Sequence, residues 1–183
     1  YQKEINYYSD EDIQTLLSYI TDKVTKDLKK GTQTKRFNAM WLVDFITWQL
    51  YSGMRLSETL NIRMSDIDLN TWELGIGNRH FITKSKKKQL LPIGLIPQLT
   101  QIVQRKMSEG LIGEDRLFSH VCRRQTHRLF KKYLRAGLPN KQHLNIHSLR
   151  HTCCINLLRA GVPIYTVQRW LRHANVKTTQ VYA

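Results

Sequence analysis

A chain of 183 residues with 41% hydrophobic content is long enough to bury one sizeable core and too apolar to be disordered. Lys and Arg number 29 against 14 Asp and Glu; the net charge of +15 points to a polyanionic partner and, by itself, leaves DNA, RNA and acidic membranes open. Cys122, Cys153 and Cys154 are odd in number, which argues against a disulfide framework, and neither a signal peptide nor an apolar run of membrane-spanning length is present, so a soluble cytoplasmic protein away from any membrane is expected.

In chain order, residues 1–8 are polar and aromatic without a period and read as the remnant of a linker. Ser9, then Asp10, Glu11 and Asp12, has the cap and first-turn acids of a helix start. Ile13, Leu16, Leu17, Ile20 and Val24 follow at helical spacing, and Gly31 ends the run. Residues 37–51 are apolar almost all round, as a buried central helix requires, and Asp44 within them reads as a hydrogen-bonded carboxylate of the core or its edge. Ser52-Gly53 breaks this helix, and Arg55 stands where a short one over residues 56–62 begins.

Residues 72–93 change character. Alternation in 72–76, around 80–83 and in 89–93, with turn residues between, predicts a small three-stranded antiparallel sheet with Pro92 at a strand end or edge. A helix over residues 96–107 turns Leu99, Ile102 and Val103 inward. On the next, over residues 124–136, Arg124, Arg128, Lys131 and Arg135 share a face opposite Leu129, Phe130, Tyr133 and Leu134. Such a stripe is either a solvated face or a contact to a DNA backbone, and the charge balance of the chain favours the contact. The fold class expected is α+β, mainly α, in one domain over residues 1–183.

Residues 143–183 concentrate the chemistry. A helix over residues 148–160 ends at Gly161 and the chain restarts at Pro163. His147 and Arg150 stand three residues apart, so they can point at one spot, and Tyr182 follows His173 by nine residues. Cationic donors beside a phenol suit attack of a tyrosine on a phosphate whose oxygens Arg and His hold. A metal reading of His147, His151, Cys153, Cys154 and His173 is weaker. Arg150 lies beside the first two histidines, the glutamate of His-Glu-x-x-His is missing, and no Cys-x-x-Cys is present. The cysteines read as small helix residues, and no metal or cofactor is expected.

These motifs carry a resemblance. His-Ser-Leu-Arg-His-Thr, Gly-Val-Pro-Ile-Tyr-Thr-Val-Gln and Leu-Arg-His-Ala-Asn-Val-Lys-Thr-Thr-Gln-Val-Tyr resemble the C-terminal signature of the tyrosine recombinases, the lambda-integrase family. Ser-Gly-Met-Arg-Leu-Ser-Glu, ending at Glu58, resembles the family's first arginine box, and Thr-Lys-Ser-Lys-Lys-Lys-Gln-Leu-Leu-Pro-Ile resembles its lysine hairpin. The resemblance implies that Tyr182 is the nucleophile and that Arg55 and Arg150 clamp the scissile phosphate. Lys84 would protonate the 5′-oxygen leaving group, and His147 and His173 would donate hydrogen bonds to the phosphate or assist proton movement. Glu58 would orient Arg55 or a catalytic histidine. Lys86, Lys87 and Lys88 would contact phosphates.

The implied activity is cleavage and rejoining of double-stranded DNA at specific sites, through a 3′-phosphotyrosyl link and a Holliday junction. The full-length protein would act as a homo-tetramer on synapsed DNA, with accessory DNA-bending proteins as possible partners. The chain departs from the pattern at Arg172, where the family usually has glycine, so that Arg172 offers an added phosphate contact. The expectation is an excised catalytic domain without the N-terminal core-binding domain. Two other readings are a non-catalytic DNA-binding regulator on the same fold and a type IB topoisomerase.

Overall fold

The computed structural model describes residues 5–34, 38–83, 86, 88–119 and 121–183. Helix α1 (Asp10–Lys30) starts at a reciprocal cap: Ser9 Oγ accepts from the Asp12 N–H, and the Asp12 carboxylate accepts from the Ser9 N–H. Ile13, Leu16, Ile20 and Val24 are buried on one side. Helix α2 (Trp41–Ser52) buries Leu42, Phe45, Ile46, Trp48 and Leu50, which lie all around its axis, because α1, α4 (Pro97–Ser108) and α6 (Ile146–Arg159) all pack on it. Asp44 is buried at its edge and ion-paired with Arg105, 2.8 Å away, and with Lys106.

Gly53 ends α2 in the left-handed region (φ 61°), and a Cβ there would run into the Leu171 side chain. Both facts call for glycine. The chain therefore turns tightly against the end of α7 (Ile164–Leu171) before α3 (Leu56–Asn61) begins at Arg55.

The three-stranded antiparallel sheet is present, but one strand differs from expectation. The order is β1 (Ile67–Asp68), β2 (Glu73–Ile76), β3 (Gln89–Leu91), with Ile67 opposite Leu74 and Leu74 opposite Leu91. Residues 80–83, expected as a strand, contribute only a single bridge between Asn78 and Phe81. The cause is local. Asn78 Oδ1 accepts from the His80 and Phe81 N–H groups, while its amide donates to Asn61 O and Asp66. That side chain curls the backbone where the alternation suggests extension. Pro92 stands at a strand end, followed by a single 3₁₀ turn (Ile93–Leu95).

Helix α5 (Arg123–Gly137) buries Thr126, Phe130, Tyr133 and Leu134 against α1 and exposes Arg124, Arg128, Lys131 and Arg135. Helix α6 is capped reciprocally by Asn145 and Ser148. The segment expected to be linker does not behave as one at Tyr8, which is 1% exposed. Its N–H donates to Thr152 Oγ1 and its hydroxyl to Asn145 O, so it fastens the first two turns of α6. Helices α7 and α8 (Val176–Gln180) close the chain over a small second core of Cys153, Cys154, Val167 and Leu171. Among the described residues no helix is long and apolar enough to cross a membrane.

Candidate active site

Arg150 is the hub. Its guanidinium is buried, Nη1 donating to Gly53 O and Nη2 to Leu171 O at 2.6 Å, which joins α6 to the ends of α2 and α7. A guanidinium carries five N–H donors, so these carbonyls do not exhaust it. Burial, and next the charges of Arg55 and Arg172, pull it down to about 10, with Glu58 opposing, so it is a cation at neutral pH.

Arg55 occupies the N-cap position of α3 with its side chain 40% exposed. Glu58, one turn on and buried, accepts the Arg55 backbone N–H at Oε2 (2.9 Å) and its Nη1 at Oε1 (3.1 Å). Glu58 thus holds Arg55, one of the two tasks expected of it. Burial pushes its carboxyl up, but Arg172 and the N–H and charge of Arg55 win, leaving it below the ordinary 4.5.

Arg172 is not the exposed phosphate contact expected of it. Its side chain is 2% exposed, and Nη2 donates to Glu58 Oε2 at 2.6 Å. The backbone explains the direction: Arg172 caps α7 in the left-handed region (φ 57°, ψ 41°), which turns the side chain inward toward α3. For a residue with a Cβ that conformation costs about 1–2 kcal/mol, which a buried, charge-assisted hydrogen bond can offset.

His173 comes next and is fixed at three points. Its N–H donates to Gln168 O (3.0 Å), its carbonyl accepts from Gln168 Nε2 (3.1 Å), and Nδ1 lies 2.8 Å from Thr179 Oγ1. Burial, followed by the charges of Arg150, Arg55 and Arg172, pushes its imidazole down to about 4, so it is neutral at physiological pH. His147, exposed in the first turn of α6, is also held below the usual imidazole range, by desolvation and then by Arg150 and Arg55.

Tyr182 folds back onto α6. It packs on the second core, and its hydroxyl meets His151 Nδ1 in a short contact. The His151 ring lies 5.3 Å from the Tyr182 ring and, edge-on, 4.6 Å from that of His147. Burial and the neighbouring Cys154 raise the Tyr182 phenol above 10, with Arg150 opposing, so it is protonated at rest. The sequence suggests a role for His151 only as a metal ligand. Its one signal there is its place a turn beyond His147, on the same helical face.

The charges of Arg55 and Arg150 both reach His147 and His173, and that of Arg150 reaches Tyr182. Together with the Glu58 bridge from Arg55 to Arg172, the Arg150 bond to Leu171 O and the His147–His151–Tyr182 ring contacts, this groups five of the six residues expected to be catalytic. Lys84, the sixth, and Lys87 lie outside the described residues. Lys86, with φ 53°, and Lys88 are exposed near β3, and the stem of Lys88 lies over Gly75 of β2. The basic stripe of α5 is exposed on a helix that also contacts α3, the helix that Arg55 begins.

Comparison with known proteins gives one answer. The profile of the phage integrase family matches residues 12–183. Tyrosine recombinase XerA from Saccharolobus solfataricus is 32% identical over 133 residues, covering 73% of this chain and 42% of that protein. The solved catalytic domain of bacteriophage HP1 integrase has a TM-score of 0.65 at 21% identity, covering 98% of this chain and 87% of that one. The Tn1549 transposon integrase, solved in complex with transposon right end DNA, has a TM-score of 0.67 at 20% identity, with 99% and 62% covered. The chain spans about half the length of the curated relatives it matches.

Proposed function

The chain belongs to the phage integrase family, and on that premise we propose that it is the catalytic domain of a tyrosine site-specific recombinase, cutting and rejoining double-stranded DNA without metal or nucleotide. The observation that carries this reading is the seat of the Tyr182 hydroxyl on His151, beside the buried Arg150 of the same helix. A nucleophile, a proton acceptor and a phosphate-holding cation stand together within one chain.

The steps balance. Tyr182 gives its proton to His151 Nδ1 as the phenolate oxygen attacks phosphorus, forming the O–P bond to the 3′ side. Arg55 and Arg150 hold the non-bridging oxygens, whose charge grows in the pentacoordinate transition state. The bond from phosphorus to the 5′-oxygen breaks, and that oxygen takes a proton, which the family resemblance assigns to Lys84. His147 and His173, neutral, donate hydrogen bonds to phosphate without adding charge. The ester energy stays in the phosphotyrosyl link, so attack by a 5′-hydroxyl of another strand reverses the steps and exchanges strands through a Holliday junction.

The Tn1549 integrase bound to its own transposon end supports DNA as the partner. The net charge of +15 and the exposed α5 stripe support broad backbone contact. The full-length protein would work as a homo-tetramer on two specific sites, with DNA-bending proteins as helpers, in the cytoplasm. The test is a denaturing gel of the protein after incubation, without metal, with a duplex pool nicked so that religation is blocked. A protein–DNA adduct supports the reading. Tight DNA binding with no adduct, from this chain and from the full-length protein alike, would move it to a DNA-binding regulator.

A further inference from the structure

The chemistry above makes no use of Arg172, yet its side chain is among the most buried charges of the site. Three features set it apart. Its backbone is left-handed, a conformation that glycine adopts without cost and arginine does not. Its guanidinium is anchored at two points, Nη2 on Glu58 and Nη1 on Trp170 O at 3.0 Å. And Glu58 Oε2, the oxygen it binds, is the one that accepts the Arg55 backbone N–H.

The charges decide what this arrangement does. Glu58 alone with Arg55 would form a neutral pair, and a neutral pair is a poor holder of phosphate. With Arg172 on its other side, the carboxylate is already balanced. Arg55 then keeps its net charge for a substrate oxygen while both of its hydrogen bonds to Glu58 still fix its direction. Arg150 reinforces the joint by donating to Leu171 O, next to Arg172. His173 follows Arg172 directly, so the same strut sets where α7 ends and that histidine begins.

We propose that Arg172 is a positioning residue: buried and out of reach of DNA, it neutralises and clamps Glu58 so that Arg55 is both oriented and left cationic toward the scissile phosphate. This rests on the recombinase reading of the site.

The experiment compares wild type with Arg172→Gly and Arg172→Lys. Glycine suits the left-handed backbone and removes the strut; lysine keeps the charge without the planar fork. Single-turnover adduct formation on the nicked duplex pool, at saturating DNA, should fall roughly tenfold or more in R172G, as removal of an orienting partner typically does. DNA affinity should stay within about twofold, since the Arg172 side chain is buried on Glu58, and R172K should fall between the two proteins. Phenylglyoxal labelling of Arg55, followed by mass spectrometry under native conditions, should be several-fold slower in R172G, because an unbalanced Glu58 then holds the Arg55 guanidinium as a tight ion pair, with the melting profile as a check on folding. This second readout needs no DNA. If neither this chain nor the full-length wild type forms an adduct, the recombinase reading fails while the strut is still tested by the labelling. Wild-type cleavage and unchanged Arg55 labelling in a folded R172G would overturn the proposal. So would a drop in affinity as large as the drop in rate, which would make Arg172 a DNA-binding residue after all.

Discussion

The hydroxyl of Tyr182 rests on Nδ1 of His151, 31 residues earlier in the chain. Nδ1 can accept the phenolic proton only when the imidazole is neutral with its hydrogen on Nε2. Replacing His151 by Phe keeps a ring of similar size and removes the acceptor. Adduct formation at saturating DNA should drop about 10²–10⁴-fold, the usual worth of a positioned general base, with affinity unchanged. An unchanged rate would mean that the proton leaves by another route.

Arg150 ties three segments together through two carbonyls, Gly53 O and Leu171 O. Arg150→Ala leaves both without that donor, at about 1–3 kcal/mol for each carbonyl left buried and unpaired. We expect the urea midpoint to fall accordingly, by about 2–6 kcal/mol in unfolding free energy, alongside loss of cleavage. A variant as stable as wild type would show that Arg150 serves the phosphate alone.

The site also sets a pH dependence. An unfolded histidine takes up a proton near 6.5, but folded His173 resists it until about 4, through burial and then the nearby arginines. The unfolded state therefore binds more protons in that window, so stability is full above it and declines as pH falls from 6.5 toward 4. His147 acts in the same direction. Glu58, held below 4.5, adds the same sign at the acid end: its contribution is present above 4.5 and lost as pH falls through its folded value. The melting temperature at about pH 5 should lie below that at about pH 7.5, and His173→Gln should narrow the gap.

Along α5, Arg124, Arg128, Lys131 and Arg135 are exposed on one face. Each changed to Gln should weaken binding to any duplex alike. The slope of log affinity against log salt should become shallower by about 0.9 for every phosphate that the changed side chain no longer neutralises. A change that spares the salt slope would mark that residue as part of a solvated face.

What is legible in the sequence is local. The cap at Ser9, the spacing of Ile13, Leu16, Ile20 and Val24, and the inward Leu99, Ile102 and Val103 depend on neighbours within a turn or two, and the structure agrees with each. So does the nearness of His147 to Arg150. What the sequence hides depends on partners far along the chain. Tyr8 resembles linker because its partner Thr152 is 144 residues away. The third strand falls elsewhere than the alternation suggests because β1 has two residues, too few to show a period, and because the Asn78 side chain bends residues that do alternate. Arg172 has the look of a surface cation because nothing near it in sequence announces Glu58, 114 residues earlier. His151 gives no sign of its task because that task exists only once Tyr182 folds back onto α6.

Tyr182 is expected to become covalently joined to DNA. The most direct measurement is mass spectrometry of the peptide that carries a nucleotide remnant, after digestion of the adduct formed by wild type, with Tyr182→Phe run beside it at equal DNA occupancy. The expected result is a phosphotyrosyl peptide ending in Tyr182 or spanning it, and a phenylalanine variant that binds DNA as tightly but yields no adduct. A nucleotide on any other residue, or an adduct that persists in the variant, would contradict it.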